Sequence, residues 1–265
     1  MHSGIWQVYA VRYAHHFRTA RENFLGGDPH DESPMPMDYF VWAVIPEDGG
    51  VERAIVIDTG FDDAMARQRG REFLHCPGEG LRQIGIEPAK VQDVILSHMH
   101  YDHAGNHDLF PAARYHIQDR EMKFSTGRWM SHAHCRLPFE AEDVVAMVRR
   151  IFSGRTVFHD GDEELSPGLS LHYVGGHSMG LQILRVNTRR GAVVLASDAA
   201  HYYANLERGL PYPITYNVAE VMEGYRRAYA LADSPAHVIP GHDPLVLARY
   251  PAPRPELQGW VARLD

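Results

Sequence analysis

The chain has 265 residues and a formal net charge of −8. This length suits one large α/β domain, and we expect residues 1–265 to form a single domain. The acidic balance argues against a nucleic-acid partner, and no apolar run approaches the roughly 18 residues of a membrane span. Cys76 and Cys135 are the only cysteines, and the first residues lack a signal-peptide pattern. We therefore expect a cytoplasmic protein without disulfides, either a monomer or a homodimer.

Strand-like and helix-like segments alternate along the chain. In chain order, the predicted strands are residues 6–13, 39–45, 53–57, 91–96, 114–117, 169–174, 182–186, 192–196 and 237–239. The predicted helices are residues 61–69, 78–84, 142–152 and 217–232, the last with Asn217 as its N-cap. This order indicates an α/β fold, and its repetition predicts two halves that each contain a βαβ unit.

Two segments interrupt this order. The Gly- and Pro-rich stretch over residues 15–37 is either a wall of a substrate site or a surface loop with packed apolar residues. We interpret residues 118–154 as an insertion beside the functional site. His132, His134 and Cys135 in this segment have metal-like spacing, but no second pair completes a structural zinc site. We therefore do not expect them to bind metal.

Histidines and aspartates follow the ends of several predicted strands. The densest group is Ser97-His98-Met99-His100-Tyr101-Asp102-His103-Ala104-Gly105-Asn106, directly after Val94-Ile95-Leu96. His98 and His100 face the same way in an extended segment, whereas Asp102 and His103 come after the chain begins to turn. Ligand sites in α/β sheets tend to lie at this edge. One short segment can therefore serve two neighbouring metal ions.

The candidate metal ligands all lie at or just past a predicted strand end. They are His98, His100, Asp102, His103, His177, Asp198 and His242. Imidazoles and carboxylates suit zinc or a similar first-row ion. We assign three of the histidines to one ion (His98, His100, His177) and three residues to the other (Asp102, His103, His242), with Asp198 as the bridge. Paired ions about 3.5–4 Å apart can polarise a carbonyl oxygen and activate water near neutral pH.

Asp58 ends the predicted strand 53–57 and has two interpretations. Its carboxylate could orient a metal-bound imidazole from behind. The alternative is that it caps the predicted helix over residues 61–69.

The order His98-x-His100-x-Asp102-His103, then Gly-His177, Asp198 and Gly-His242, resembles the metallo-β-lactamase superfamily. The resemblance implies an αβ/βα four-layer sandwich, in which two mixed sheets flanked by helices hold a dinuclear site at one edge. It also implies a hydrolase with two Zn²⁺, or another first-row divalent metal, that acts on a small-molecule substrate. Residues 97–106 and Ser-Asp-Ala at 197–199 are most similar to the N-acyl-homoserine lactonase-like group.

This resemblance predicts a lactone-opening enzyme, with N-acyl-homoserine lactone (quorum quenching) or a related lactone as substrate. In lactonases of that group a tyrosine lies three residues after the bridging aspartate, where this chain has His201, followed by Tyr202 and Tyr203. We expect one of these three, together with Asp102, to assist catalysis. The alternatives are another hydrolase of the same fold, acting on an ester, amide or thioester of a small metabolite, and a non-catalytic member. The complete ligand set argues against the non-catalytic alternative.

Overall fold

The structure, a computed structural model, describes residues 4–265. The strands of this part of the chain are β1 (Trp6–His16), β2 (Met37–Pro46), β3 (Ile55–Ile57), β4 (Glu72–Phe73), β5 (Asp93–Ile95), β6 (Arg114–Gln118), β7 (Thr156–His159), β8 (Glu163–Ser166), β9 (Leu169–Tyr173), β10 (Gln182–Thr188), β11 (Gly191–Ser197), β12 (Val238–Pro240) and β13 (Val261–Arg263). Its α-helices are α1 (Asp63–Arg69), α2 (Pro77–Gln83), α3 (Tyr101–Ala104), α4 (Asp119–Ser125), α5 (Ala133–Arg136), α6 (Ala141–Phe152), α7 (Tyr203–Arg208), α8 (Val218–Leu231) and α9 (Leu245–Arg249).

These strands form two sheets. The larger sheet runs β13-β1-β2-β3-β5-β6-β7, with β4 paired to β1, and the smaller sheet runs β12-β11-β10-β9-β8. Neighbours from β3 to β7 in the larger sheet are parallel, as is the pair β11–β12, whereas the other pairs are antiparallel. Both sheets are therefore mixed, as the sequence predicts.

Alternating apolar residues explain why the sheets are covered on both faces, because successive side chains of a strand point to opposite sides. In β1, Trp6 and Val8 pack between the two sheets, whereas Tyr9 and Val11 pack on the other side with α1, α2, α4 and α6. On the far side of the smaller sheet, the apolar face of α8 covers β10 and β11. The result is a four-layer sandwich of helix, sheet, sheet and helix, which confirms the predicted architecture.

Several boundaries differ from the predicted ones. Strand β1 continues to His16 because its last residues still pair with β2. Helix α1 begins at Asp63, not at residue 61, because the side chain of Asp62 accepts a hydrogen bond from the Met65 amide at 2.8 Å. Helix α8 begins directly after its predicted N-cap, Asn217, whose side chain accepts hydrogen bonds from two amides of the first turn. None of the helices within residues 4–265 combines the length and apolar character that crossing a membrane requires.

The long segment between β6 and β7 folds as α4, α5 and α6 with short connections. The predicted insertion over residues 118–154 lies in this segment except for Gln118, which still belongs to β6. The Tyr101 amide donates a hydrogen bond to the Pro138 carbonyl at 2.9 Å, and the Phe139 ring lies 4.6 Å from the His100 ring. This segment is therefore in contact with the loop that carries the histidine motif.

Candidate metal centre

The predicted ligands are brought together from both sheets. His98 and His100 follow β5, and Asp102 and His103 lie on the short helix α3 that comes next. The other three candidates follow strands of the smaller sheet: His177 after β9, Asp198 after β11 and His242 after β12. The larger sheet thus contributes four candidate ligands and the smaller sheet three, all at one edge of the sandwich.

Within residues 4–265, the ligand atoms form groups of three that lie within 4.8 Å of one another. The groups are His98, His100 and His177; His98, His103 and Asp198; Asp102, His103 and His242; and His177, Asp198 and His201. The first and third groups correspond to the two metal sites predicted from the sequence. The fourth adds His201, which the sequence did not assign as a ligand.

Asp198 lies between the two groups. Its Oδ2 atom is 3.1 Å from His177 Nε2, and its Oδ1 atom is 3.3 Å from His103 Nε2 and 2.9 Å from His242 Nε2. Each carboxylate oxygen thus faces a different trio. This is the arrangement that a bridging carboxylate requires.

The polar atoms at the centre of this cluster fit metal ions. The Nε2 atoms of His98, His103 and His177 and the Oδ1 atom of Asp198 are buried, and their close contacts with neighbouring side chains do not have hydrogen-bond geometry. Buried polar atoms usually have a partner. Unpartnered imidazole nitrogens and a carboxylate oxygen that converge on the same space are the donor set that a first-row divalent cation binds.

The charge states of the imidazoles agree with this interpretation. Burial, assisted by the neighbouring histidines, lowers the pKa of His98 and His100 well below the usual range, so both are neutral, the form that binds metal. Burial alone would also lower the pKa of His103 and His242, but nearby carboxylates, with Asp198 foremost, outweigh it and raise both values. A divalent cation competes with a proton for these positions.

Asp58 supports the cluster from behind. Its Oδ2 atom accepts hydrogen bonds from His103 Nδ1 at 2.8 Å and Ser97 Oγ at 2.9 Å, and its Oδ1 atom accepts one from the Ser97 amide at 2.7 Å. A proton held on Nδ1 leaves His103 Nε2 free to bind metal. The structure therefore matches the first interpretation of Asp58, and the helix-capping interpretation is wrong because Asp62 has that role.

Other imidazoles are oriented in the same way. His177 Nδ1 lies 2.8 Å from the Ile214 carbonyl, and His242 Nδ1 lies 2.8 Å from the Asp38 carbonyl. A carbonyl only accepts, so both rings carry their proton on Nδ1 and present Nε2 to the cluster.

The backbone is unusual at two strand ends beside the cluster. Asp58 and Ser197 are the non-glycine residues with positive φ within residues 4–265, at 63° and 42°. Ser197 Oγ donates to Ser97 Oγ at 2.9 Å, which links the end of β11 to the loop after β5. At Gly241, a Cβ atom would lie 2.7 Å from the Ser197 backbone, so glycine is required for β11 and β12 to approach each other here. Strained and close-packed backbone of this kind concentrates at functional sites.

Glu121 is a functional candidate that the sequence did not reveal. It is fully buried on α4, and its two carboxylate oxygens accept hydrogen bonds from the amides of Met99 and Gly180, each at 2.8 Å. Met99 lies between two ligands, and Gly180 lies three residues after His177. Burial raises the pKa of Glu121. One side chain thus ties both ligand-bearing loops together, and only the tertiary contact shows this.

A cavity of about 330 Å³ opens above the cluster. Its lining includes Arg18, Met37, Tyr39, Arg69, Arg71, Tyr101, Leu137, Pro138, Ile214, His201 and five of the predicted ligands, His100, Asp102, His177, Asp198 and His242. Arg18 and Met37 belong to the 15–37 stretch, so part of that stretch does form a wall of the cavity. Leu137 and Pro138 come from the segment over 118–154. His132 and His134 are exposed.

Of the three catalytic candidates His201, Tyr202 and Tyr203, the structure places His201 in the cavity. Its Nε2 atom lies 3.0 Å from Asp198 Oδ2, and its ring stacks on Tyr212 with 3.7 Å between ring centroids. Tyr212, which sequence reasoning also missed, donates to the Asp198 carbonyl. Burial lowers the pKa of His201 to about 3, so its imidazole is neutral.

Tyr202 and Tyr203, two further catalytic candidates from the sequence, do not line the cavity. The Tyr202 hydroxyl donates to the Met35 carbonyl at 3.4 Å. The Tyr203 ring packs in the core between the sheets under Arg249, whose guanidinium carbon lies 3.8 Å from the ring centroid. Both side chains are directed away because the chain turns into α7 at this point.

Paired trios of imidazole and carboxylate ligands at the edge of a four-layer α/β sandwich define a class of dinuclear metal-binding folds. The family model of the metallo-beta-lactamase superfamily matches residues 38–248. The chain therefore belongs to the metallo-β-lactamase superfamily, as the ligand pattern predicts.

Individual related proteins indicate a narrower group than the family model does. N-acyl homoserine lactonase AiiA of Bacillus thuringiensis subsp. kurstaki is 31% identical over 188 residues, which cover 65% of this chain and 68% of the relative. N-acyl homoserine lactonase AiiB of Agrobacterium fabrum is 33% identical over 131 residues, which cover 48% and 47%. A solved quorum-quenching N-acyl homoserine lactone lactonase has a TM-score of 0.71 and 21% identity, and the match covers 92% of this chain and 94% of that one. That structural likeness independently establishes the fold.

Proposed function

We propose that this chain is a dinuclear zinc hydrolase that opens the ring of a small lactone. The observation that carries the proposal is the convergence of two ligand trios on one carboxylate at the floor of a cavity. The relatives named above are N-acyl homoserine lactonases, so these lactones are the first substrates to test. A cavity of about 330 Å³ is at the small end for ligand sites, which favours short acyl chains.

We assign some side chains of the cluster to metal binding and others to proton transfer. One metal ion would be held by His98, His100 and His177 and the other by Asp102, His103 and His242, with Asp198 shared. Two divalent cations supply Lewis acidity, which polarises the lactone carbonyl and makes a nucleophile available from water near neutral pH.

Asp102 and His201 are the residues we assign to catalysis. Asp102 lines the cavity, where it can accept a proton from the attacking water and return it to the ring oxygen as the C–O bond breaks. Water is thereby added across the ester bond, and a hydroxy acid leaves. His201 is neutral and lies against Asp198, where it can hydrogen-bond the substrate. The proposal gives Tyr202 and Tyr203 no role in the reaction.

The experiment combines metal analysis with a substrate panel. Purified protein is assayed for metal content and for acid release from short- and long-chain N-acyl-homoserine lactones, thioesters, β-lactams and aryl esters. We expect zinc near two ions per chain and turnover of lactones. His100→Ala and Asp198→Asn should lose metal and activity together, whereas His132→Ala, at an exposed histidine outside the cavity, should keep both. Protein that holds two metals but opens no lactone would refute the proposal and point to whichever other ester, amide or thioester is hydrolysed.

Two further predictions accompany this function. The cytoplasmic location and the choice between a monomer and a homodimer stay predictions from the sequence. Fractionation of the native cells and the solution mass of the purified protein measure them.

A further inference from the structure

Two arginines on the cavity wall have no carboxylate partner. Arg18 and Arg71 both line the cavity, and no carboxylate within residues 4–265 forms an ion pair with either guanidinium. Arg69, the third arginine of this wall, differs because it pairs with Glu140. Charged groups removed from water are usually paired, and both guanidinium groups are partly removed from it. The two unpaired guanidinium groups therefore call for an explanation.

The hydrogen bonds of Arg71 are made to neutral groups alone, and the Asp102 carboxylate acts on the guanidinium electrostatically without forming an ion pair with it. Its Nε atom donates to the Tyr101 hydroxyl at 3.2 Å, and its Nη1 atom donates to the Arg69 carbonyl at 2.7 Å and lies 3.2 Å from His16 Nε2. Its Nη2 group makes no hydrogen bond to any described residue. The guanidinium is thus fixed at two positions and retains a free donor edge.

Arg18 is held in a similar way. Its Nη2 atom donates to the Glu22 carbonyl at 2.7 Å, and its Nη1 atom contacts Met37 Sδ at 4.0 Å. Its Nε atom is buried without a hydrogen-bond partner in the described chain. The Glu22 carboxylate accepts hydrogen bonds from the amide and hydroxyl of Thr19, and it attracts Arg18 without forming an ion pair with it.

The positive charge of Arg18 and Arg71 affects the pKa of the neighbouring residue His16. The pKa of His16 is lowered to about 4, first by burial and then by Arg71 and Arg18. The carboxylates in the cavity lining are Asp102 and Asp198, and the metal site uses both. In a chain with a net charge of −8, this side of the cavity is a local cationic surface.

We infer that the substrate carries an anionic group, a carboxylate or a phosphate, and that Arg18 and Arg71 bind it on the wall of the cavity. The inference rests on the proposed function, since the scissile ring is taken to be a lactone, and it narrows the substrate class. N-acyl-homoserine lactones are neutral and would leave both guanidinium groups without a partner. Arginine suits this role because its planar donors match the oxygens of a carboxylate or phosphate.

The test compares matched pairs of γ-butyrolactones. One pair bears a carboxylate or a carboxamide on the ring carbon next to the ring oxygen, and the other bears a phosphorylated or a free hydroxymethyl group there. We expect kcat/KM for one of the two anions to exceed that for its neutral partner by about tenfold or more, mainly through KM. Which pair shows the preference identifies carboxylate or phosphate.

Variants locate the effect. Arg18→Met and Arg71→Met should each reduce the ratio of kcat/KM for the anion to kcat/KM for its neutral partner several-fold. Arg71→Lys should restore part of the preference, because the charge is retained. The control is Arg67→Met, which removes an exposed arginine paired with Asp63 on α1 and should change nothing.

A binding measurement separates this inference from the proposed function. Carbocyclic analogues, with CH₂ in place of the ring oxygen, cannot be opened, and calorimetry gives their Kd whether or not any lactone is hydrolysed. Equal Kd values for charged and neutral analogues would overturn the inference, as would a preference that persists undiminished in both methionine variants. If lactones are not hydrolysed but the anion is still preferred, the proposed function fails and the anion site stands.

Discussion

Replacing Asp58 by asparagine should weaken metal binding without removing a ligand. The carboxylate accepts three hydrogen bonds, from His103 Nδ1 and from the amide and hydroxyl of Ser97. Asparagine has a similar shape and tolerates the positive φ of 63° at this position. Its carbonyl oxygen can keep the bond to the Ser97 amide. Its NH₂ group then faces His103 Nδ1, and two donors cannot pair.

The expected loss follows from the tautomer of His103. To accept from the new NH₂ group, Nδ1 must lose its proton, which moves to Nε2, the atom that we assign to the metal. Changes to such supporting residues typically cost about 10- to 100-fold in metal affinity or activity. This corresponds to about 1.4–2.8 kcal/mol. We therefore expect Asp58→Asn to release the ion that we assign to His103 at a chelator concentration about 10- to 100-fold lower than wild type.

The assay is competition with a chromophoric chelator, with kcat/KM for a lactone measured in the same samples. The control is Asp62→Asn, since asparagine caps a helix about as well as aspartate and Asp62 does not contact the cluster. Supplementing Asp58→Asn with excess zinc should restore part of the activity. Wild-type affinity for both ions in Asp58→Asn would refute the argument that this carboxylate sets the His103 tautomer.

Three further predictions concern other buried groups. His201→Phe keeps the stack on Tyr212 but removes both nitrogens, so kcat should fall about 100-fold with metal content unchanged; loss of metal instead would make His201 a ligand. Glu121→Gln leaves one acceptor oxygen for two amides, so the free energy of unfolding should fall by about 1–3 kcal/mol, measured by denaturant titration. An unchanged value would contradict the role of Glu121 in joining the Met99 and Gly180 loops. Burial lowers the pKa of His107 to about 3, below the usual value of about 6.5. Only the unfolded chain then takes up this proton as the pH falls below about 6.5, so stability is lost on acidification. His107→Gln should reduce that loss of stability by about 2 kcal/mol at about pH 5, relative to His132→Gln. Parallel curves of unfolding free energy against pH for the two variants would refute this prediction.

The ligand motif was predictable from the sequence because its chemistry is concentrated in a short segment after an apolar strand. His98, His100, Asp102 and His103 needed no tertiary information beyond the turn between them. The more distant candidates could be found because each follows a strand and has glycine or a small residue beside it, as with Gly176-His177 and Gly241-His242. The superfamily and the four-layer sandwich predicted from this pattern are confirmed.

Residues that act through long-range packing could not be predicted in this way. Glu121 is a charged residue on a helix, where the expected position is the surface, and its burial depends on two loops more than 20 residues away on either side. Arg71 and Tyr212 are similar, because nothing in their local sequence shows what they face. The direction of Tyr202 and Tyr203 depends on where α7 begins, and the sequence left that boundary open.

Short strands were missed for a different reason. Strand β13 (Val261–Arg263) follows a Pro-rich segment and is too short for an alternating pattern to be recognised. It exists because β1 offers an open edge, to which Val261 and Arg263 pair opposite Val11 and Tyr9. Strand β8 (Glu163–Ser166) is acidic and half-exposed, and it forms by pairing with β9.

The division of ligands between the two sheets has a consequence for how the protein matures. During synthesis the ribosome delivers His98 to His103 early, while His177, Asp198 and His242 emerge only as the second sheet is completed. Neither sheet alone can hold the shared carboxylate between two trios. Metal uptake should therefore be among the last events of folding, and the binding free energy of the ions adds to the stability of the docked sheets. A cell short of the metal would accumulate chains whose two sheets separate more easily and are cleaved sooner by proteases.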